Sequence, residues 1–345
     1  SSAWTAWQEV TSQLYFSGTP DEIRVHTAAE VQQKQQERAQ AEAEQQVWKA
    51  FLERIRHGKL DPADRSFFIE VENVALGRSE RSQILREIGR AETPESAHAL
   101  LVELGVWDSL FNPYPIRQGV FLKQVDLPVP ALPIEDRLDL THLQSYAIDD
   151  PGTDTPDDAL SLEGDRLWVH VADVAALIQP GSELDLEAQA RGMSLHLPEG
   201  TIHLLPREVT LQLGLGLQEV SPALSFAIDL EPDGAVRGYE IFPSWIRVQR
   251  LDYAEAETLV DLEPLRTLYH LLCLVRERRR ANNAVLIDFP EVRLKVDQGK
   301  VEIHPILPFR SRMMVEEAMN FNWCGDGPLR PAAWVLRSIQ PARCA

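Results

Sequence analysis

Ile148-Asp149-Asp150-Pro151-Gly152-Thr153-Asp154-Thr155-Pro156-Asp157-Asp158-Ala159-Leu160 is the most informative stretch of this chain. Five aspartates fall within ten positions, in a segment that two prolines stiffen and that an apolar strand follows. Mutual repulsion among so many carboxylates is unfavourable unless something positive is bound, and hard oxygen donors suit Mg²⁺, Mn²⁺ or Ca²⁺. Asx-turns and helix caps use the same side chains, so spacing alone leaves both uses open. An EF-hand is excluded. Counted from Asp149, its glycine and glutamate positions fall on Asp154 and Leu160; counted from Asp150, they fall on Thr155 and Ser161.

The charge around this stretch is concentrated. The chain has 345 residues, with 53 Asp and Glu against 34 Lys and Arg, for a net charge of −19. Residues 131–190 alone hold fourteen acids and two arginines. Net acidity argues against sequence-independent nucleic-acid binding, which rests on Lys and Arg displacing counterions from phosphates. A local carboxylate excess, however, is either a solvated face or a cation site. The sign reverses at Arg276, Arg278, Arg279 and Arg280, and again at Arg81, Arg86 and Arg90. These clusters either face phosphates or form cationic last turns favoured by the helix dipole.

At 44% hydrophobic and 25% charged residues, the composition is that of a folded chain. It has no uninterrupted apolar run of membrane-spanning length and no signal-peptide pattern at Ser1–Val10. Cys273, Cys324 and Cys344 are too few and too scattered for a disulfide framework. A soluble protein of the reducing cytoplasm is expected, with no membrane partner and as a monomer.

Working outward, residues 27–58 are rich in Ala, Glu, Gln, Lys and Arg and have no Gly or Pro before Gly58, so they are predicted helical. The polar first part, to residue 46, reads as a solvated connector. From Val47 an apolar stripe through Phe51, Leu52 and Ile55 opens a helical domain over 47–111. Short helices are predicted at Asp64–Val74, Ser79–Ile88 and Thr93–Leu104, the last capped by Thr93-Pro94. Such a set suggests a helix-turn-helix or winged-helix unit, which serves either nucleic-acid binding or protein packing. Pro113, Pro115, Pro128, Pro130 and Pro133 mark residues 112–133 as a linker without helix. Beyond it, strands are predicted at Leu167–Val171, Leu224–Leu230, Val236–Phe242, Trp245–Val248 and Val292–Val296, with Asp233-Gly234 as a hairpin turn. Helices are predicted at Glu183–Arg191 and Leu262–Arg280. This irregular mixture indicates an α+β domain, not a doubly wound sheet.

The Ile148-Asp149 to Asp157-Asp158-Ala159-Leu160 segment resembles the catalytic signature of the ribonuclease II/ribonuclease R (RNB) exoribonucleases. Val169-His170-Val171-Ala172-Asp173-Val174 looks like the family's following strand. Pro180-Gly181-Ser182-Glu183-Leu184-Asp185, with Ala188 and Arg191-Gly192, looks like its next helix start. Leu197-Pro198 and Leu205-Pro206-Arg207-Glu208 match its two Leu-Pro elements. Arg280 through Phe289-Pro290-Glu291, and Met314-Val315-Glu316-Glu317-Ala318-Met319, match later landmarks. The resemblance covers about residues 140–319. Ala99-Leu100-Leu101 through Gly105-Val106-Trp107 resembles the helix-turn-helix domain of ribonuclease II-like enzymes of the deinococcal and cyanobacterial type.

The resemblance implies an α+β RNB catalytic domain over residues 134–319, after the helical domain, that hydrolyses single-stranded RNA 3′→5′ to nucleoside 5′-monophosphates with Mg²⁺, or Mn²⁺ in its place. It implies Asp149 and Asp158 as metal ligands and Asp157 as the acid holding the 3′ end and the attacking geometry. The family's remaining aspartate falls on Thr155, and Asp154, one position earlier, is its candidate substitute. His196 stands where the family often has a tyrosine that stacks on the terminal base, a role imidazole fills with less area. Arg279 and Arg280 are the candidate phosphate contacts. His170 and Asp173 read as scaffold.

After Met319 the text changes character, with Trp323-Cys324-Gly325-Asp326-Gly327-Pro328 and Pro331-Ala332-Ala333-Trp334 breaking the expected helix. Residues 320–345 are therefore an atypical tail, and the catalytic domain is expected to be incomplete at its C-terminus, as by a frameshift or truncation. Residues 1–46 are expected to be the remnant of a small barrel plus a polar helix. The competing expectation is a catalytically inactive fragment or degenerate homologue that binds RNA or a protein partner. A third is an acidic Ca²⁺-responsive protein.

Overall fold

In the computed structural model, residues 2–19, 22–285 and 289–320 are described. The tail from Phe321, with Cys324 and Cys344, lies outside them. The chain divides into two compact units between Val120 and Phe121.

The first unit opens with helix α1 (Ser2–Ser12) and a two-stranded antiparallel sheet of β1 (Phe16–Thr19) and β2 (Glu22–Val25). Helix α2 (Ala28–Arg56) follows. A reciprocal Thr27–Glu30 capping box starts it, and nothing breaks it before Gly58. The boundary expected at residue 46 therefore falls inside one continuous helix. Of the expected apolar stripe, Phe51, Leu52 and Ile55 are buried, while Val47 is exposed. A 3-10 turn (Pro62–Phe68), α3 (Ile69–Ala75), α4 (Gln83–Glu87) and α5 (Pro94–Glu103) complete the helical core. Phe51, Phe68, Val71, Val74, Ile84, Leu85, Leu100 and Leu101 are buried together there.

The proline-rich segment departs from expectation at both ends. Pro115 sits inside a single-turn helix, α6 (Tyr114–Arg117), because a proline lacks an N–H that the first helical turn does not need. Val125, Leu127, Val129 and Leu132, nearly alternating with prolines, pack against Leu177, Ile178, Val209 and Leu213. The second half of the expected linker is thus an extended arm of the second unit.

That unit is built on a seven-stranded sheet. Its strands are β3 (Leu138–Asp139), β4 (Ser145–Asp149), β5 (Asp158–Glu163), β6 (Arg166–Ala172), β9 (Ser221–Leu230), β10 (Val236–Ile246) and β11 (Val248–Asp252), in the order β11-β4-β5-β6-β9-β10-β3. The two edge pairs, β11 with β4 and β10 with β3, are parallel; the rest are antiparallel. Between β6 and β9 lie α7 (Val174–Leu177), α8 (Glu183–Arg191), the small hairpin of β7 (Leu195–Leu197) and β8 (Gly200–Ile202), and α9 (Arg207–Leu213). After β11 come α10 (Tyr253–Leu259), α11 (Leu265–Ala281), the hairpin of β12 (Val292–Asp297) and β13 (Lys300–Pro305), and α12 (Arg310–Asn320).

Period-2 alternation divides the sheet between two cores. Tyr146, Ile148, Leu160, Val169 and Phe226 pack with Leu268 and Leu272 of α11 and Met314 and Ala318 of α12. Ala147, Ala159, Trp168, Ala227 and Ile246 form the second cluster. The β9–β10 turn carries Gly234 at φ +80°, where a Cβ would meet the Leu274 carbonyl carbon of α11 at 2.7 Å. Glycine is required there by conformation and by space. Across the sheet runs a buried polar chain. His170 bridges Ser161 Oγ at 2.7 Å and Ser225 Oγ at 2.6 Å, and Ser225 continues to Ser244. This bears the scaffold reading of His170, whose burial depresses its pKa to about 3 and keeps it neutral. Asp173 likewise caps α7 and holds the buried Arg137 guanidinium at 2.7 Å.

Candidate metal centre

Antiparallel pairing of β4 with β5 explains why the aspartate-rich stretch converges. Tyr146 pairs with Leu160, and continuing that register sets Asp149, the last residue of β4, across from Asp157. Asp158 is the first residue of β5. The intervening loop turns back with Gly152 at φ +79° and with Thr153 donating to Asp150 O. Asp157 O then accepts from Ala172 N at 2.8 Å, and Pro156 O accepts from Leu215 N at 2.9 Å, pinning the loop's end.

Asp149, Asp157 and Asp158 each offer a carboxylate oxygen, and these oxygens lie within 4.8 Å of one another. Asp158 Oδ2 is buried with no hydrogen-bond partner. Desolvation, followed by the charges of Asp157 and Asp149, pushes the Asp158 carboxyl up to about 7. Desolvation and Asp157 push Asp149 up to about 6, against a lowering by Arg250. Desolvation also raises Asp157, although the residue as a whole is exposed. Three converging carboxylates, one of them with an unpartnered buried oxygen, fit a divalent cation with hard oxygen ligands.

The other expected residues lie apart. Asp154 stays outside the trio: its side chain is 71% exposed, Oδ2 stands 3.7 Å from His203 Nε2, and it lines a cavity of about 700 Å³ with His203, Arg207 and Glu208. Thr155 is half-buried in the loop. His196 is exposed on β7, its Nδ1 3.2 Å from Thr201 Oγ1. Arg279 pairs with the buried Glu317 at 2.6 Å, while Arg280 contacts Glu277 at 3.4 Å on the surface.

Several neighbours of the trio escaped the sequence reading. Asp150 accepts from Arg312 at 2.8 Å and from Arg293, and these pairs hold its carboxyl below the usual range despite burial. Arg312 lies over Tyr253, and burial pushes that phenol up to about 12. Arg250 donates to Thr153 O at 2.5 Å. The partners of Asp150 come from residues more than a hundred positions away, and no local pattern signals them.

Comparison with known proteins places this geometry. Residues 137–321 match the RNB domain model. The chain belongs to the RNB family. Residues 31–113 match the double HTH domain model, so the RNB domain follows a ribonuclease II-type helical region. An uncharacterized ribonuclease of Synechocystis is 32% identical over 342 residues, covering 89% of this chain and 51% of the relative. The chloroplastic/mitochondrial ribonuclease II of Arabidopsis thaliana is 33% identical, covering 62% of this chain and 29% of that protein. The chain thus spans about half, or less, of these relatives' length. Among solved structures, an active-site mutant of the Dss1 exoribonuclease from Candida glabrata superposes with a TM-score of 0.66 at 16% identity, covering 96% of this chain and 48% of that one. Mycoplasma genitalium RNase R, solved in complex with single-stranded and with double-stranded RNA, gives 0.50 at 21% identity, covering 54% of this chain. No described helix is long and apolar enough to cross a membrane.

Proposed function

We infer that this RNB-family protein is a Mg²⁺-dependent exoribonuclease that hydrolyses single-stranded RNA from its 3′ end to nucleoside 5′-monophosphates. The observation that carries the reading is the trio of Asp149, Asp157 and Asp158 with the orphaned Asp158 Oδ2. Bound there, Mg²⁺, or Mn²⁺ in its place, supplies positive charge to the phosphodiester and acidifies water. The chain's own residues position the reactants. Asp149 and Asp158, fixed at adjacent strand ends, hold the ion, and Asp157 orients the 3′ terminus. His196, anchored through Nδ1, presents an imidazole face on which a base stacks. Arg280, on the surface, contacts backbone phosphates, while Arg279 orders α11 against α12 through Glu317. In this reading the protein works as a cytoplasmic monomer.

The expected fourth carboxylate is the one specific observation favouring a second reading. Thr155 occupies its place and Asp154 turns to His203, which suits a protein that binds RNA without cleaving it. Incubation with 5′-labelled oligoadenylate and Mg²⁺ separates the two. Products that shorten progressively from the 3′ end support the exoribonuclease, and retention of intact RNA supports the binding protein. Asp157→Asn is expected to abolish cleavage while RNA remains bound; undiminished turnover in that variant removes Asp157 from the site.

A further inference from the structure

Arg312 makes one side-chain hydrogen bond, where Arg310 on the same helix makes three. It lies on α12 with its guanidinium carbon 3.8 Å from the Tyr253 ring centre, and its side chain is 22% exposed. One terminal nitrogen donates to Asp150 Oδ1 at 2.8 Å, and Nε is buried without a hydrogen-bond partner, so the donors open to a ligand are the remaining N–H groups of the two terminal nitrogens. A guanidinium carries five N–H donors in a planar fork that matches phosphate oxygens. Arg310, two residues earlier, is the contrast: its nitrogens are taken by Glu257 and by both oxygens of Asp261. Tyr253, beneath Arg312, lies within electrostatic reach of Asp149, Asp150 and Asp158. An arginine with terminal N–H groups to spare is therefore tied to the residue that directly follows Asp149, its plane fixed by an aromatic ring.

Asp150 is the other half of the arrangement. It directly follows Asp149 and accepts from Arg312 of α12 and Arg293 of β12. As a charge alone, a fourth carboxylate beside the trio repels an approaching phosphate. As a tether, it holds the Arg312 fork in place.

We propose that Arg312 receives the non-bridging oxygens of the phosphodiester beside the carboxylate trio, and that Asp150 is its positioning residue. The proposal rests on the RNA reading above and deepens it by naming the phosphate contact. The two views of Asp150 predict opposite signs. Removing a negative charge strengthens RNA binding if Asp150 acts through charge, and weakens it if Asp150 positions Arg312.

The test measures binding of 5′-labelled oligoadenylate to the full chain, with Ca²⁺ in place of Mg²⁺, across a series of salt concentrations. Arg312→Gln is expected to weaken binding about tenfold or more and to reduce the slope of log affinity against log salt by about 0.7, one phosphate contact on a single strand. Arg312→Lys keeps the slope while losing part of the affinity, because a point charge replaces the fork. Asp150→Asn weakens binding, and Asp150→Asn combined with Arg312→Gln is no weaker than Arg312→Gln alone. Tighter or unchanged binding by Asp150→Asn overturns its positioning role. An unchanged slope in Arg312→Gln overturns the phosphate contact, including where thermal melts show that variant destabilised. Cleavage followed in parallel with Mg²⁺ separates this proposal from the reading beneath it. A wild-type chain that binds RNA but leaves it intact refutes the exoribonuclease while the arginine assignment is still decided by the slopes. A wild-type chain that binds no RNA refutes both.

Discussion

Asp158→Asn should stabilise the metal-free protein while removing its response to Mg²⁺. The Asp158 carboxyl is pushed from an ordinary 3.8 up to about 7 by desolvation and by Asp157 and Asp149. Between those values the folded chain holds a proton that the unfolded chain has released. Stability without metal therefore falls as pH rises through about 4 to 7, and above 7 the full cost of the ionised group is present. Three pKa units correspond to about 4 kcal/mol. Allowing for partial solvent access and shared titration with Asp149, on the order of 2 kcal/mol is expected at pH 8. For a unit of this size that is about 4–8 °C in melting temperature. The assay is a pair of melts at pH 8, in EDTA and in excess Mg²⁺. In EDTA the variant melts higher than the wild type. In Mg²⁺ the wild type rises because binding is linked to folding, and the variant does not. At pH 4 the two converge. A variant that melts lower than the wild type at pH 8 in EDTA would refute the reasoning, since Asp158 would then be paired and not frustrated.

Two further outcomes follow from groups away from the trio. His170, neutral with its pKa depressed to about 3, refuses a proton that the unfolded chain accepts below about 6.5, so its contribution is present above that pH and is lost as acid approaches 3. His170→Gln should therefore flatten the acid limb of a pH–stability curve, and an unchanged limb would contradict a buried neutral imidazole. Phe51, fully buried and within 4.7 Å of Phe67 between ring centres, anchors the helical core. Phe51→Ala should cost about 3–5 kcal/mol in denaturant unfolding of the helical unit, and a loss below 1 kcal/mol would place the core elsewhere.

Local chemistry explains which elements were legible beforehand. Helix α8 was readable to its ends because Ser182 caps it and Gly192 stops it at φ 77°. The β9–β10 hairpin announced itself through Asp233-Gly234. Helix α2 is legible as a helix from its composition, and its buried residues Phe51, Leu52 and Ile55 fall on the apolar stripe. The arm at residues 121–133 looked like a linker because its prolines were more conspicuous than the apolar residues between them. The trio itself was legible, since β4, the turn and β5 are contiguous in sequence and the antiparallel register alone closes the distance.

By itself, the sequence determined the order of the two units, the α+β character of the second and the identity of the clustered acids. These are short-range properties of capping, periodicity and spacing. Only the tertiary structure decided that Asp154 points to His203 while Asp149 joins Asp157 and Asp158, that Arg279 serves Glu317, and that Asp150 gathers Arg293 and Arg312 beside Tyr253. Carboxylates and guanidiniums pair with whatever charge the fold brings within a few ångströms, and here those partners lie up to 162 positions apart.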